Sequence, residues 1–351
     1  MKRYPAVIVW ILLGIVVGVT FVTPSSDAGS LPSVEQILQE LDLSAADQER
    51  IRQGKIVKWS VSEGSDRELA IGMAFLVKTK PPKLLEMFHD ATAFKNVPVV
   101  TAYGRISDEG TLKDFARVKL EPNGEKEARR YLEVEPGEEL NLDAQEMAAF
   151  HSLDSAEKNG AQLVEAVEAQ IRLLLLSRYQ AYRKKGLAGI TPYERQHGAL
   201  LLASDELSLA LKELKLLAKH APSLYNALLH YPNGKLQGGE QRDEQFVWLN
   251  IDVFGRPMYV LSHRTLFKIG EIYLAADRHF YTSHDYNSMV QGTVALPTKD
   301  GLLMIYLGRV STDQVAGFAS AVLHPASRAI ASPYIKGMFE TVREQVEKKN
   351  H

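Results

Sequence analysis

Residues Arg278 to Tyr286 read Arg-His-Phe-Tyr-Thr-Ser-His-Asp-Tyr, two imidazoles, a guanidinium, a carboxylate and two phenols in one short run. Such a set could hold a metal ion, assemble a nucleophile with its base, or line a pocket with oriented hydrogen-bonding groups. A metal would need His279 and His284 to converge. On a straight strand residues at that spacing point to opposite faces, because side chains alternate with a period of two. His279, Tyr281 and Ser283 then share one face, and Arg278, Phe280, Thr282 and His284 the other. Ser283, His284 and Asp285 name a hydrolase triad, but neighbours on a strand cannot chain their hydrogen bonds, and no Gly-x-Ser-x-Gly elbow occurs. The sequence also lacks His-Glu-x-x-His and a glycine-rich phosphate loop, which argues against zincin and nucleotide chemistry. Pocket wall or packed core is the expected role of the run. The alternative is acid-base work by His263 or His279 with Tyr281, since histidine operates near neutral pH after a modest shift.

Two further groups could meet a ligand. Arg264 and Arg309 end apolar strands, where a guanidinium fork could meet a carboxylate or phosphate headgroup. Their other reading is an ion pair to Asp252 or Asp313, because a buried arginine usually needs a carboxylate. Arg178, Tyr179, Tyr182 and Arg183 form a basic-aromatic patch on a long helix, suited to packing on the sheet or to a snorkelling edge at a membrane surface.

The elements that must position these groups follow from composition and period. The 351 residues are 45% hydrophobic and 24% charged with a formal net charge of -2, enough to bury a large core and without the basic stripe of a phosphate-backbone binder. No nucleic-acid partner is expected. There is no cysteine, so disulfides, thiolate metal sites and cysteine nucleophiles are excluded. Lys2 and Arg3 precede an apolar run from Ala6 to Val22, and Ser26 and Ala28 supply small residues at signal-peptidase spacing. Residues 1–28 are read as a signal peptide or an N-terminal membrane anchor. Either places the bulk of the chain in the periplasm, free or anchored to the inner membrane and facing it.

A helical lead-in follows over 29–54, with Ser44 and Asp47 at a cap and Gly54 at the end. Residues 55–122 alternate as strands: a hairpin from Lys55–Ser62 to Leu69–Val77, a helix opened by Pro81 and Pro82 and running through Phe88, then strands at Val97–Ile106 and Asp114–Leu120. Residues 123–233 read as a helical insertion, with a long helix over Ser155–Lys185, another over Asp205–Lys219 and a short one after Pro222. From 234 to 348 strands return at Gln245–Val253, Pro257–Leu266, Lys268–Ala275, Arg278–His284, Met289–Ala295 and Leu302–Val310. A long C-terminal helix then carries Pro325 and Pro333.

Strands, a short helix, more strands and a long terminal helix, with the texture of "WLNIDVFGRPMYVLSHRTL" and "LLMIYLGRVSTDQVAGF", resemble the START-like (helix-grip, SRPBCC-type) superfamily of lipid and apolar-ligand binding domains, as an exported bacterial member with a helical insertion. The resemblance implies an α+β fold in which a curved antiparallel sheet grips the C-terminal helix. It also implies a cavity between sheet and helix for a hydrophobic small molecule or lipid, without catalysis and without a cofactor. Tyr259, His263, Arg264, His279, Tyr281 and Arg309 are its candidate lining, and a membrane surface is a further candidate partner. The alternatives are an enzyme of the same fold using His and Tyr groups in the cavity, and an envelope scaffold that uses the insertion as a contact surface.

Overall fold

The computed structural model describes residues 33–59, 61–79, 94, 97–153, 160–238, 240–317 and 320–348. The expected leader and the helix expected from Pro81 lie outside the described residues. Among the described residues no helix is long and apolar enough to cross a membrane.

Two short helices open the fold, α1 (Val34–Glu40) and α2 (Ala45–Arg52). The Ser44 hydroxyl accepts the Asp47 N–H at 3.1 Å, a cap for an otherwise orphaned donor. Gly54 follows at φ 77°, a left-handed turn that glycine adopts without strain. The expected hairpin forms between β1 (Val57–Trp59) and β2 (Glu68–Val77), with Val57 opposite Ala74. After β3 (Val100–Ile106) the expected strand at Asp114–Leu120 does not form: residues Leu112–Phe115 are a 3-10 turn and the rest is irregular. Turn bonds and side chains, not a ladder, satisfy this backbone. Trp248 Nε1 donates to Asp114 O, Asn250 Nδ2 and Tyr259 Oη both donate to Lys119 O, and Leu120 N–H donates to Glu168 Oε1.

The helical block contains α3 (Gly124–Leu132), α4 (Ala144–His151), α5 (Gly160–Lys185), a short pair β4 (Tyr193–Glu194) and β5 (Leu200–Leu201), then α6 (Ala203–Lys212), α7 (Lys215–His220) and α8 (Pro222–Leu229). The single helix expected over Asp205–Lys219 is thus two, α6 and α7. Five long strands follow: β6 (Gln241–Val253), β7 (Arg256–Ile269), β8 (Ile272–Thr282), β9 (Ser288–Thr298) and β10 (Gly301–Ser311). The turn after β7 falls at Gly270, with φ 55°, so the break expected between Ala275 and Arg278 is absent and β8 runs straight through it. Helix α9 (Ser320–Lys348) closes the chain with both prolines inside it.

All eight main strands form one antiparallel sheet in the order β1-β2-β10-β9-β8-β7-β6-β3. The fold is α+β, with a large sheet covered on both faces. Against one face α9 packs Ile335 and Phe339, the latter ring 4.7 Å from that of Phe75 and 5.0 Å from that of Tyr306. The opposite face carries the helical block through Phe246, Trp248 and Phe267, and, nearer β1, the two N-terminal helices through Ala74, Leu296 and Ile305. Two-sided burial explains why the central strands read as nearly continuous apolar runs.

Candidate functional site

An apolar cavity opens on the sheet face turned away from α9. It has a volume of about 370 Å³ and lies between strands β8 to β10 and helices α1, α7 and α8. Leu274, Val294 and Leu307 of the sheet, Ile37 of α1, Leu217 of α7 and Leu224 of α8 supply its apolar walls. The strand residues reach it because alternate side chains of β8, β9 and β10 share this face, and Val294 and Leu307 stay only half-buried with the space above them. Trp59 forms one wall by lying flat on β2, which requires glycine beneath it: a Cβ on Gly72 would sit 2.2 Å from the indole.

The polar groups of the cavity fall at two places. Buried on the sheet side, Arg309 Nη1 donates to Glu68 Oε2 at 2.8 Å and Nη2 donates to Ser62 O at 3.1 Å. At the exposed side Glu40, at the end of α1, accepts from Lys219 Nζ at 2.7 Å and from His220 Nε2 at 2.9 Å. Hydrogen bonds from Lys219 and His220 hold the Glu40 carboxyl below its ordinary value. This clasp joins α1 to α7 across the cavity, and both Glu40 and His220 line it.

The six residues expected to line one cavity are divided by the sheet. A bulge in β8 does this. Leu261 pairs with Tyr281 and Ser262 with His279, so Phe280 is an extra residue. Phe280 and Tyr281 both turn to the helical block, where the Phe280 ring stacks on Tyr182 at 3.9 Å and Arg178 lies over Tyr281 at 4.4 Å. His279 is left on the α9 face, its Nδ1 2.6 Å from Tyr286 Oη and its Nε2 3.6 Å from Asp277 Oδ2. Simple alternation had put His279 and Tyr281 together; the bulge is why that fails. Arg264 also faces α9, 5.0 Å from the Phe94 ring and beside Asp277. Tyr259 and His263 lie under the helical block: Tyr259 Oη bonds Lys119 O, and His263 Nδ1 meets Arg278 Nη2 at 2.5 Å and Tyr182 Oη at 3.1 Å. Of the six, Arg309 alone lines the apolar cavity, and its carboxylate partner is Glu68, neither of the two expected. An acid-base set of His263, His279 and Tyr281 has no common space to act in.

The environments of these groups are those of packed interior. Burial, reinforced by the Arg278 charge, drives the His263 imidazole well below its usual value, so the ring is neutral and Nδ1 accepts from Arg278. Burial likewise holds the Tyr281 and Tyr259 phenols well above theirs. The basic-aromatic patch of α5 faces inward: Arg178 is buried against Glu146, and Tyr179 and Tyr182 are fully buried.

The end of the opening run is a tight turn. Asp285 stands at φ 69°, in the left-handed region, and this lets its carboxylate reach Nδ1 of the adjacent His284, a contact that strand geometry forbids. His284 Nε2 meets Pro257 O at 3.1 Å. Both neighbours are hydrogen-bond acceptors, so the ring ties the turn to β7. Ser283 Oγ is elsewhere, accepting the Tyr259 N–H at 3.0 Å. Burial would raise the Asp285 carboxyl, but the His284 charge and hydrogen bond outweigh it and the net shift is downward. A polar crevice of about 180 Å³ beside this turn is filled with committed partners, such as Arg195 bonded to Asn141, Asn287 and Asp313. Among the described residues no group of three or more His, Asp or Glu side chains could hold a metal ion.

Comparison with protein-family models, with curated proteins and with solved structures gives no match. The cavity therefore stands on its own geometry. Sequence reading missed Trp59, Leu217, Val294 and Leu307, and the signal that could have found them is the surplus of apolar residues on the second face of β9 and β10. An apolar second face demands a cover, and the helices before the last strands were there to supply it.

Proposed function

We propose that this protein is a non-catalytic binding module for a hydrophobic molecule, held on the sheet face away from the C-terminal helix. One observation carries the reading: a cavity of about 370 Å³, in the size range of ligand sites, with apolar walls and few polar groups. In bulk terms it has room for roughly a dozen water volumes, enough for an alkyl chain or a compact lipid fragment. The strand order, with β2 beside β10 and α9 returning onto β2, supports a helix-grip, START-like architecture with the helical block inserted after β3. In that architecture the expected ligand space lies under the terminal helix; the cavity that supports the reading here lies on the other face. The leader-like first residues support an exported, membrane-facing location in which a lipid is the natural ligand.

The test is native mass spectrometry of the full-length protein purified from the envelope of expressing cells, before and after organic extraction. A stoichiometric adduct of lipid-like mass that disappears on extraction is expected. A bare protein mass that also takes up no added alkyl ligand would remove the proposal.

A further inference from the structure

We infer that the cavity takes a single-chain amphiphile with a tail of about a dozen carbons, and that Gly292 fixes the longest tail that fits. This rests on the proposed binding function and narrows it to a ligand class and a specificity-determining residue. Gly292 stands in the interior of β9, where glycine weakens a strand and commonly marks a bulge or the close approach of another group. There is no bulge: β9 keeps a continuous register with both neighbours, with Gly292 opposite Ala276 of β8 and Leu307 of β10. The other glycines inside strands of this sheet each make room for an aromatic side chain of the protein itself. A Cβ on Gly72 would run into Trp59, one on Gly104 into Trp248 and one on Gly308 into Tyr306. A Cβ on Gly292 would meet nothing closer than Ala275 O at 3.5 Å and Leu274 Cδ1 at 3.7 Å. Gly292 is half-buried and lines the cavity, so the space that an aromatic side chain fills over the other three is open to a ligand here.

The cavity volume sets the class. About 370 Å³ is roughly a dozen water volumes, and a methylene is of similar size, so a tail of about a dozen carbons fills the space and a second chain is excluded. The distribution of charge sets the direction. Apart from Arg309, which is bonded to Glu68 and to Ser62 O, the charged residues that line the cavity are Glu40, Asp42, Glu213, Lys215 and His220, all exposed or half-buried. Ala276 and Val290, which border Gly292 across and along the sheet, are buried and have no polar side-chain atoms. A head group keeps its water at the rim, since polar groups lose free energy on entering apolar surroundings, and the tail then ends over Gly292.

Trp59, in the cavity wall, provides a local readout through quenching by bromine. Full-length protein is loaded with omega-bromoundecanol, and straight-chain alcohols from hexanol to tetradecanol are titrated in to displace it, with Trp59→Phe as the control that isolates the cavity signal. Affinity is expected to rise about fourfold for each added methylene up to about twelve carbons and to rise no further beyond. Gly292→Val places a branched side chain where β9 already carries Val290 and Val294 on the same face, and it occupies about as much space as three methylenes. It should end the gain about that many carbons earlier and leave hexanol affinity within about twofold. Gly292→Ala, whose methyl meets only ordinary contacts, should weaken dodecanol about fourfold, and it decides if the valine variant does not fold. A gain that continues through tetradecanol overturns the tail length and leaves the binding function standing. A break at the same length in a folded Gly292 variant overturns the role of Gly292. No quenching of Trp59 by omega-bromoundecanol overturns the binding function itself.

Discussion

Removing one member of the Arg309–Glu68 pair is a different experiment from removing both. With Arg309→Ala the Glu68 carboxylate stays buried, and loss of a partner from a buried ion pair costs about 3–5 kcal/mol. An unfolding free energy from urea curves lowered by that amount, against a much smaller loss for the double variant Glu68→Gln with Arg309→Met, would identify the pair as a buried charge matched to its surroundings. Gly72 supports the same site sterically. Gly72→Ala places a methyl where the Trp59 ring lies, 2.2 Å away, so the indole must move and the cavity wall with it. Overpacking of this kind costs about 1–3 kcal/mol. Thermal unfolding and Trp59 emission should both report it, the first lowered and the second red-shifted. On the block side of the sheet, His263 gives the fold a defined pH response. Its folded value lies well below the unfolded 6.5, so above 6.5 both states are neutral and the residue contributes no pH dependence. As pH falls below that value the unfolded chain takes up a proton that the buried ring refuses, and stability drops by about 1.4 kcal/mol per pH unit until the folded value is reached. His263→Gln keeps an acceptor for Arg278 and removes the titration. Denaturant curves from about pH 7 to pH 5 should show a shallower loss in the variant than in the natural protein.

Among the elements, α1 and α7 decide access to the cavity. They are joined across it by Glu40 with Lys219 and His220, contacts that depend on an ionised carboxylate. Because the Glu40 value is lowered on folding, the clasp is complete above the ordinary carboxylate range and is lost as pH falls through the lowered value. Glu40→Gln should therefore speed release of a bound alkyl ligand several-fold at neutral pH with little change in the fold. Stopped-flow recovery of Trp59 emission measures it, and an unchanged release rate would mean that α1 does not gate the site. The sequence made these helices and most strands legible, because caps such as Ser44 and alternation such as that of β1 and β2 are local. It could not place the cavity. Which face of β9 or β10 meets α1 depends on the order of strands in the sheet, and the single extra residue Phe280 in β8 reassigns Tyr281 to the far side. The missed irregularity of Asp114–Leu120 has the same origin: Val118 and Leu120 are fully buried as a strand's would be, but Arg172 donates to Val118 O, Glu168 accepts from Leu120 N–H, and the Val118 N–H turns back to Phe115 O.

For the whole molecule the sheet is a partition between two unlike interiors. On the α9 side, a polar set of Ser262, Asp277, His279 and Gln291 is buried among apolar strand residues; on the other side, the helical block leaves one apolar space unfilled beside α1. A ligand can be assigned to a side by the amides it protects. Binding slows local opening of the elements that contact the ligand, while elements across the sheet gain only the global increment. Hydrogen exchange of the full-length protein with and without saturating undecanol should show the added protection in α1, α7, α8 and the portions of β8 to β10 that line the cavity. Helix α9 should gain no more than the edge strand β3 does. Protection concentrated in α9 would transfer the ligand to the opposite interior, beside Arg264 and His279. In that case the cavity under α1 would be a packing gap.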